Sequence, residues 1–229
     1  MFISRCEINP AKRQARKLLG SPQAMHAAVM SCFPRSQADE VGRILWRIDE
    51  NNGAQFLLIV SSVKPDLSVI EEQAGWVTSS TAECKQYGPF LERIENGQFY
   101  HFRLTANPVH NVRREDGRSQ RFGHVSVKYQ EQWLLDRAER CGFAIPQVER
   151  GEDTDDSTYS FSVNERGKRS FSRRAERGRR VTLTTASFEG ILQVTDADAL
   201  RKALVEGIGP AKAYGCGLLT LVPATGAGY

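Results

Sequence analysis

A histidine near the start of a helical pattern is the residue best suited to proton transfer. Ser21 and Pro22 supply a capping side chain followed by proline at the first helical position, and His26 falls in the second turn. An imidazole has an ordinary pKa of about 6.5, so it can donate or accept a proton near neutral pH. The N-terminus of a helix also attracts phosphate. A lone helical histidine is more often an ordinary surface residue, so His26 alone does not define a site.

A basic, glycine-rich stretch near the C-terminus is the second candidate for chemistry. Gly207, Gly209, Gly215 and Gly217 lie in eleven residues together with Pro210 and Lys212. Glycines at this density permit positive φ or a close backbone approach to a ligand, and the lysine favours an anion. The spacing fits neither a dinucleotide-binding fingerprint nor a Walker loop. A glycine cap followed by a tight turn into the last strand explains the same glycines, and both interpretations stay open.

A run of arginines and lysines is the third candidate. Residues 164–180 contain eight basic side chains against Glu165 and Glu176, so this stretch alone carries a charge of +6. Such a run is usually a solvated face, but clustered basic charge in a chain with a net charge of only +4 also indicates a groove for a polyanion. The candidate polyanion-binding residues here are Arg166, Lys168, Arg169, Arg173, Arg174, Arg177, Arg179 and Arg180. The second-rank candidates are Lys128, Arg113, Arg114 and Lys212.

Composition narrows the class of protein. The 229 residues are 40% hydrophobic, and no apolar run approaches the roughly 18 residues of a membrane span. The start of the chain lacks the apolar segment of a signal peptide, so we expect a cytoplasmic protein. The five cysteines never form a Cys-x-x-Cys pair, which argues against a zinc site and a disulfide framework. We expect reduced thiols, no metal and no cofactor.

The elements that must position these residues follow from periodicity. Alternation predicts strands at 2–8, 44–48, 56–63 and 98–106, with a further strand in each of the regions 144–149, 157–163 and 181–194 and a last one at 218–222. Helical spacing predicts helices after Ser21, over 67–74, over 129–141 and after Asp196. Residues 75–97 give no clear pattern, and a polar, basic loop is expected after residue 106.

The order of these elements predicts an α+β fold. Each half of the chain approximates β-α-β-β-α-β, the ferredoxin-like or RRM-like topology, so we expect two tandem domains. The first, residues 1–92, contains His26. The second, residues 98–229, contains the basic segment as a hairpin and the glycine-rich loop.

Four segments carry a resemblance to a known family. The stretch Gly207 to Leu219 resembles the C-terminal glycine-rich signature of CasE-type CRISPR repeat-RNA endoribonucleases. The start from Phe2 to Pro10, the run Phe102 to Pro108 and the triplet Phe188 to Gly190 fit the same family in the same order. The resemblance covers essentially the whole chain, and it implies the same tandem ferredoxin-like architecture.

The resemblance also implies an activity and a partner. It places His26 at the family's catalytic histidine, acting as a general base or a general acid in metal-independent RNA cleavage. Attack by the 2′-OH would leave a 2′,3′-cyclic phosphate and a 5′-OH end. The basic hairpin would bind the stem-loop of the CRISPR repeat RNA, and the cleaved RNA would stay in a Cascade-like complex with other subunits.

One position departs from the family. Gln23 stands where familiar members have a second catalytic residue, a tyrosine, and an amide cannot titrate near neutral pH. We therefore expect cleavage to depend on His26 with little contribution from Gln23. The departure leaves open an RNA-binding subunit with weak or no nuclease activity. A small-molecule enzyme that binds phosphate through the glycine-rich loop is a third interpretation, but it gives the basic segment no purpose.

Overall fold

The computed structural model describes residues 1–34, 42–113, 117, 119–148, 158–172 and 180–224. The elements of the first half are β1 (Phe2–Ile8), α1 (Arg13–Gly20), α2 (Pro22–Ser31), β2 (Leu45–Asn51), β3 (Ala54–Ser61), α3 (Ser68–Ala74), β4 (Glu83–Gln86) and α4 (Gly88–Glu92). None of the described helices is long and apolar enough to cross a membrane.

The first half forms a four-stranded antiparallel sheet in the order β2-β3-β1-β4. That order is the ferredoxin-like topology predicted from the sequence. In β1, Ser4, Cys6 and Ile8 are buried, as the alternating pattern requires. The β2–β3 turn is at Asn52 and Gly53, both with positive φ, which suits a tight hairpin. Two regions in which no element was predicted contain regular structure. Helix α1 precedes α2, and β4 and α4 lie within residues 75–97.

The elements of the second half begin with β5 (Phe99–Ala106), β6 (Val109–Arg113), β7 (Ser119–Gly123), α5 (Val127–Ala138), β8 (Phe143–Ala144) and β9 (Gln147–Val148). They continue with β10 (Thr158–Tyr159), β11 (Phe161–Ser172), β12 (Arg180–Val194), α6 (Ala197–Glu206) and β13 (Leu219–Pro223). The sheet order β11-β12-β5-β13, with β8 beside β12, repeats the topology of the first half. One expectation is corrected: the predicted loop after residue 106 contains the antiparallel β6–β7 hairpin.

Two hydrophobic cores lie under the two sheets. The first packs α2 onto the sheet through Met25 and Val29. The second includes Tyr87, Leu91 and Ile94, so α4 packs against the second half although it precedes β5. The domain boundary expected near residue 92 stays a prediction.

A buried arginine joins the halves. Arg47 on β2 is 1% exposed, and its side chain makes five hydrogen bonds. Two of them go to the Asp49 carboxylate, at 2.6 and 2.8 Å. The other three cross to the second half, where they reach the carbonyls of Arg103 (2.9 Å) and Leu218 (2.7 Å) and the Thr220 hydroxyl (2.8 Å). A guanidinium has five N–H donors, so Arg47 is fully satisfied.

The contribution of this junction can be measured with Arg47→Met. We expect the free energy of unfolding to fall by about 3–5 kcal/mol, because the change leaves a nearly buried carboxylate and two carbonyls without their donor. The measurement is chemical denaturation followed by circular dichroism. The matched control is Arg5→Met, which removes a salt bridge to Glu83 whose side chains are both 49% exposed. That change should cost less than about 1 kcal/mol. Equal losses in the two variants would contradict the role given to Arg47.

Candidate active site and nucleic-acid interface

His26 lies on a helix that is fixed at its start. The Ser21 hydroxyl accepts a hydrogen bond from the Ala24 N–H (3.2 Å), so the predicted cap is confirmed. Met25 is buried in the first core, and His26 beside it is half-buried. Gln23 is also half-buried and lies one turn earlier, on the same side of α2 as His26.

The environment of His26 favours its neutral form. Nδ1 is buried and has no hydrogen-bond partner among the described residues. Burial lowers the pKa of His26 below its ordinary value. The imidazole is therefore neutral at neutral pH and able to accept a proton. Because Nδ1 is covered, the exposed part of the ring is its remaining edge, which includes Nε2.

A cavity of about 420 Å³, here called the junction cavity, opens between the two halves. Pro22 and Met25 line it from α2, and Trp46 and Arg47 line it from β2. The second half contributes residues from β5, β11, β12 and the glycine-rich loop: Thr105, Glu165, Arg166, Gly167, Arg169, Leu183, Thr185, Ser187, Tyr214, Gly215 and Cys216. His26 is not among the lining residues, but Met25, which precedes it on the helix, is.

The basic segment reaches this cavity through β11. Arg166 donates a hydrogen bond to the Val125 carbonyl, and Arg169 donates one to the Leu19 carbonyl at the end of α1 (3.4 Å). Leu19 is only two residues before the cap of the helix that carries His26. Arg169 is thus placed beside the candidate catalytic helix, although it lies 150 positions from Leu19 in sequence, whereas the hydrogen bond of Arg166 stays within the second half.

A second depression of about 830 Å³, here called the basic cleft, lies between the β6–β7 hairpin, β12 and the glycine-rich loop. Four cations line it: Arg43, Arg121, Lys168 and Lys212. Its described lining residues include no carboxylate, so every charged side chain that lines it is positive, which suits a polyanion. Lys168 and Lys212 were predicted from the sequence. Arg43 and Arg121 were not among the candidates. Arg43 lies outside the charge clusters, and Arg121 belongs to the polar, basic loop expected after residue 106, but only the fold brings the two together.

An aromatic ladder lies beside the basic cleft. Four rings form consecutive contacts in the order Phe122, His110, His124 and Tyr129, with centroid separations of 6.1, 4.6 and 5.8 Å. Phe122 and Tyr129 are exposed, and Phe122 also lines the cleft. Exposed aromatic rings beside cations can stack nucleobases. Sequence reasoning missed this surface, since its residues are spread over a hairpin and the start of a helix.

Backbone conformation and close packing explain why the loop over 207–217 contains four glycines. All four glycines have positive φ. A methyl group added at Gly215 would lie 2.8 Å from the Trp46 ring, and one added at Gly209 would lie 2.7 Å from the Trp133 ring. Gly207 is equally close to Leu45, at 2.7 Å. The loop therefore packs on β2 of the first half and on α5 of the second.

The remaining predicted RNA-binding residues, including Lys212, differ in how they relate to the junction cavity and the basic cleft. The Lys212 ammonium donates to the Gly209 carbonyl (2.7 Å), and burial lowers its pKa. Arg113 and Lys128 are exposed and line neither the junction cavity nor the basic cleft. Arg114, Arg173, Arg174, Arg177, Arg179 and the Arg180 side chain lie outside the described residues.

Comparisons with known proteins agree over nearly the full chain. A family model described as "CRISPR associated protein" matches residues 1–223. The chain is 30% identical over 225 residues to the CRISPR-associated endoribonuclease Cse3 of Thermus thermophilus, covering 97% of this chain and 100% of that protein. It is 31% identical over 212 residues to the CRISPR system Cascade subunit CasE of Escherichia coli K12, covering 87% and 90%. The structure of Thermus thermophilus Cse3 bound to an RNA representing a pre-cleavage complex superposes with a TM-score of 0.77 at 28% identity, covering 97% and 98%.

The packing of the glycine-rich loop can be tested with Gly215→Ala. Gly53→Ala is the matched control, because Gly53 also has positive φ but has nothing within 4 Å of an added methyl group. The control should cost about 1–2 kcal/mol of folding free energy from backbone strain alone. Gly215→Ala should cost about 1–3 kcal/mol more, because the methyl group meets the Trp46 ring. The same loss in both variants, measured by denaturant unfolding, would show that packing against Trp46 is unimportant.

Proposed function

The chain belongs to the CRISPR associated protein family, as a CasE-type member, and from that premise we propose that it is the endoribonuclease that cuts CRISPR repeat RNA. The relative Cse3 is named an endoribonuclease and resembles this chain over its whole length. The observation that carries the proposal is the placement of a half-buried, neutral histidine on a capped helix beside the arginines of β11. The substrate is the stem-loop of the repeat, cut at its 3′ base.

The reaction needs a group that removes a proton. The 2′-OH next to the scissile phosphate loses its proton and attacks phosphorus, and the bond to the 5′ oxygen of the next nucleotide breaks. The leaving 5′ oxygen takes up a proton from water, because the amide of Gln23 cannot supply one. The products are a 2′,3′-cyclic phosphate and a 5′-OH, so no metal or cofactor enters the balance. The lowered pKa of His26 favours the general base on the 2′-OH, because the imidazole is already neutral when the RNA arrives. The exposed edge that includes Nε2 accepts the proton.

Gln23 has a different role from the histidine. Its amide can donate a hydrogen bond to a phosphate oxygen or accept one from the 2′-OH, but it cannot carry a proton. We therefore propose that it helps to orient the substrate. Because the family's second titratable group is absent at Gln23, an RNA-holding subunit of the same complex with weak nuclease activity is the alternative function.

RNA binding involves both depressions. The basic cleft supplies cations for the phosphate backbone, and the ladder of exposed aromatic rings beside it can stack bases. Arg166 and Arg169 hold the strand near the cut. Many phosphate contacts slow release, so we propose that the cleaved RNA is retained and carried into a Cascade-like complex with the other subunits. The expected cytoplasmic location stays a prediction.

The catalytic assignment is tested with purified protein and a repeat hairpin in EDTA. Wild type should cleave and leave a cyclic phosphate, and His26→Ala should lower the single-turnover rate by about 10²–10⁴-fold. Gln23→Ala should lower it far less. The matched control is His101→Ala, which removes an exposed histidine of β5. Tight binding without cleavage by wild type would favour the alternative function, and an equal loss in Gln23→Ala would refute the ranking of the two residues.

The pH dependence of the same rate tests the proton role. A general base works in its neutral form, so the rate should fall on the acid side as His26 becomes protonated. Because burial lowers its pKa, the acid limb of the single-turnover rate should have its midpoint below 6.5. A rate that rises toward low pH through that region would instead assign His26 as the general acid.

The basic cleft is tested by salt dependence. Arg43→Gln and Lys168→Gln should each weaken hairpin binding and reduce the slope of log Kd against log salt by about 0.9, one phosphate contact on a duplex. The control is Lys85→Gln on the edge strand β4, whose side chain is 76% exposed. Fluorescence anisotropy over a series of salt concentrations measures both quantities. An unchanged slope in both cleft variants would place the RNA backbone elsewhere.

A further inference from the structure

Arg103 on β5 is a hub for three carboxylates. Its Nη2 donates to Glu165 Oε1 at 2.9 Å, and its Nε lies 3.0 Å from Glu189 Oε1 and 3.6 Å from Asp49 Oδ1. Asp49 is also the carboxylate held by Arg47. A continuous polar network therefore runs from β2 of the first half, through Arg103, to β11 of the second half.

Glu165 ends this network at an irregular point of β11. The pairing of β11 with β12 shifts register between Asn164 and Gly167, and Glu165 has a φ of +44°. Its second carboxylate oxygen accepts a hydrogen bond from Ser187 at 3.0 Å, and Ser187 is 1% exposed. The Glu165 side chain is thus held from two directions, although it is itself 52% exposed. A non-glycine residue in this conformation needs such support, because positive φ is unfavourable for a side chain.

The register shift determines where the basic side chains point. A β-bulge changes the direction of the residues that follow it. Directly after this one, Arg166 and Arg169 both line the junction cavity. The Arg166 guanidinium reaches the Val125 carbonyl, and Arg169 crosses to the Leu19 carbonyl beside the helix of His26. Lys168 faces the basic cleft on the other side. The bulge therefore divides the cations of β11 between the two depressions.

We propose that Glu165, held by Arg103 and Ser187, is a positioning residue for RNA cleavage. It fixes the bulge that delivers Arg169 to the corner between α1 and α2, so that the RNA held by β11 meets His26 in line. The inference rests on the proposed nuclease function. Glu165 contacts no reacting atom, and it acts through the direction of Arg166 and Arg169.

An explanation from electrostatics alone predicts a different effect of replacing Glu165 on RNA affinity and cleavage rate. Removing a carboxylate beside a polyanion site should strengthen RNA binding and leave the chemistry unaffected. A positioning role predicts a slower chemical step at saturating RNA, because misplacement by about 1 Å can cost on the order of 100-fold in rate. Rate and affinity therefore separate the two explanations.

The experiment compares Glu165→Gln with Glu189→Gln. Both variants remove one negative charge from the same guanidinium, but only Glu165 lies at the bulge. The repeat hairpin is used in excess over full-length protein, and three quantities are measured: the single-turnover rate, the Kd for the hairpin and the deuterium uptake of peptides covering β11. Thermal unfolding of both variants confirms that they fold.

For Glu165→Gln we expect a rate lower by about tenfold or more, a Kd that does not increase, and faster exchange in β11. For Glu189→Gln we expect a rate within about twofold of wild type and unchanged exchange. Glu165→Ala should match or exceed the loss in Glu165→Gln. Equal rates in the Gln variants, or a rate loss in Glu165→Gln without faster exchange in β11, would overturn the proposal. If wild type does not cleave, the proposed function fails, while unequal exchange in the Gln variants would still establish that Glu165 holds the bulge.

Discussion

The five hydrogen bonds of Arg47 are the interaction on which the arrangement of the site depends. A buried guanidinium is stable only when every N–H finds an acceptor, and here the acceptors come from both halves of the chain. Two backbone carbonyls, at Arg103 and Leu218, are fixed points of the second sheet. The edge of β2 is thereby held against β5 and the start of β13. Because α2 belongs to the first half and β11 to the second, this junction sets the distance between His26 and β11.

The junction also explains how charge is distributed. The carboxylates of Asp49, Glu165 and Glu189 all contact Arg103, and Asp49 also contacts Arg47, so most of their negative charge is compensated within the protein. The cations of the basic cleft have no such partners among its described lining residues. Under the proposed function a phosphate backbone is attracted to the cleft. In the junction cavity Arg47 uses all its donors within the protein, so among the described residues Arg166 and Arg169 are the cations left to contact RNA there.

The parts of the fold that could be predicted from sequence have strong local signals. The alternation in β1, the Ser21–Pro22 cap and the helix after Asp196 all lie where they were predicted. Helix α1 was missed because only Ala15 and Leu18 are buried in it, too few for a clear helical period. The β6–β7 hairpin was missed because both of its faces are largely exposed, so no alternation develops. The Arg47 and Arg103 networks join residues up to 173 positions apart, and a local sequence pattern cannot predict such contacts.

The motifs that carry the family resemblance are largely the ones that build the junction. Gly207 and Gly215 allow the loop to approach Leu45 and Trp46, the residues just before Arg47 on β2. Arg103, the carboxylate hub, lies in the Phe102 to Pro108 run, and Glu189 lies in the Phe188 to Gly190 triplet. The residues of these motifs therefore make contacts that hold the two domains in one orientation. A fixed orientation constrains many side chains at once, whereas proton transfer needs one well-placed imidazole. For that reason an amide at Gln23 is compatible with the fold and the junction, and under the proposed function its effect is limited to the chemical step.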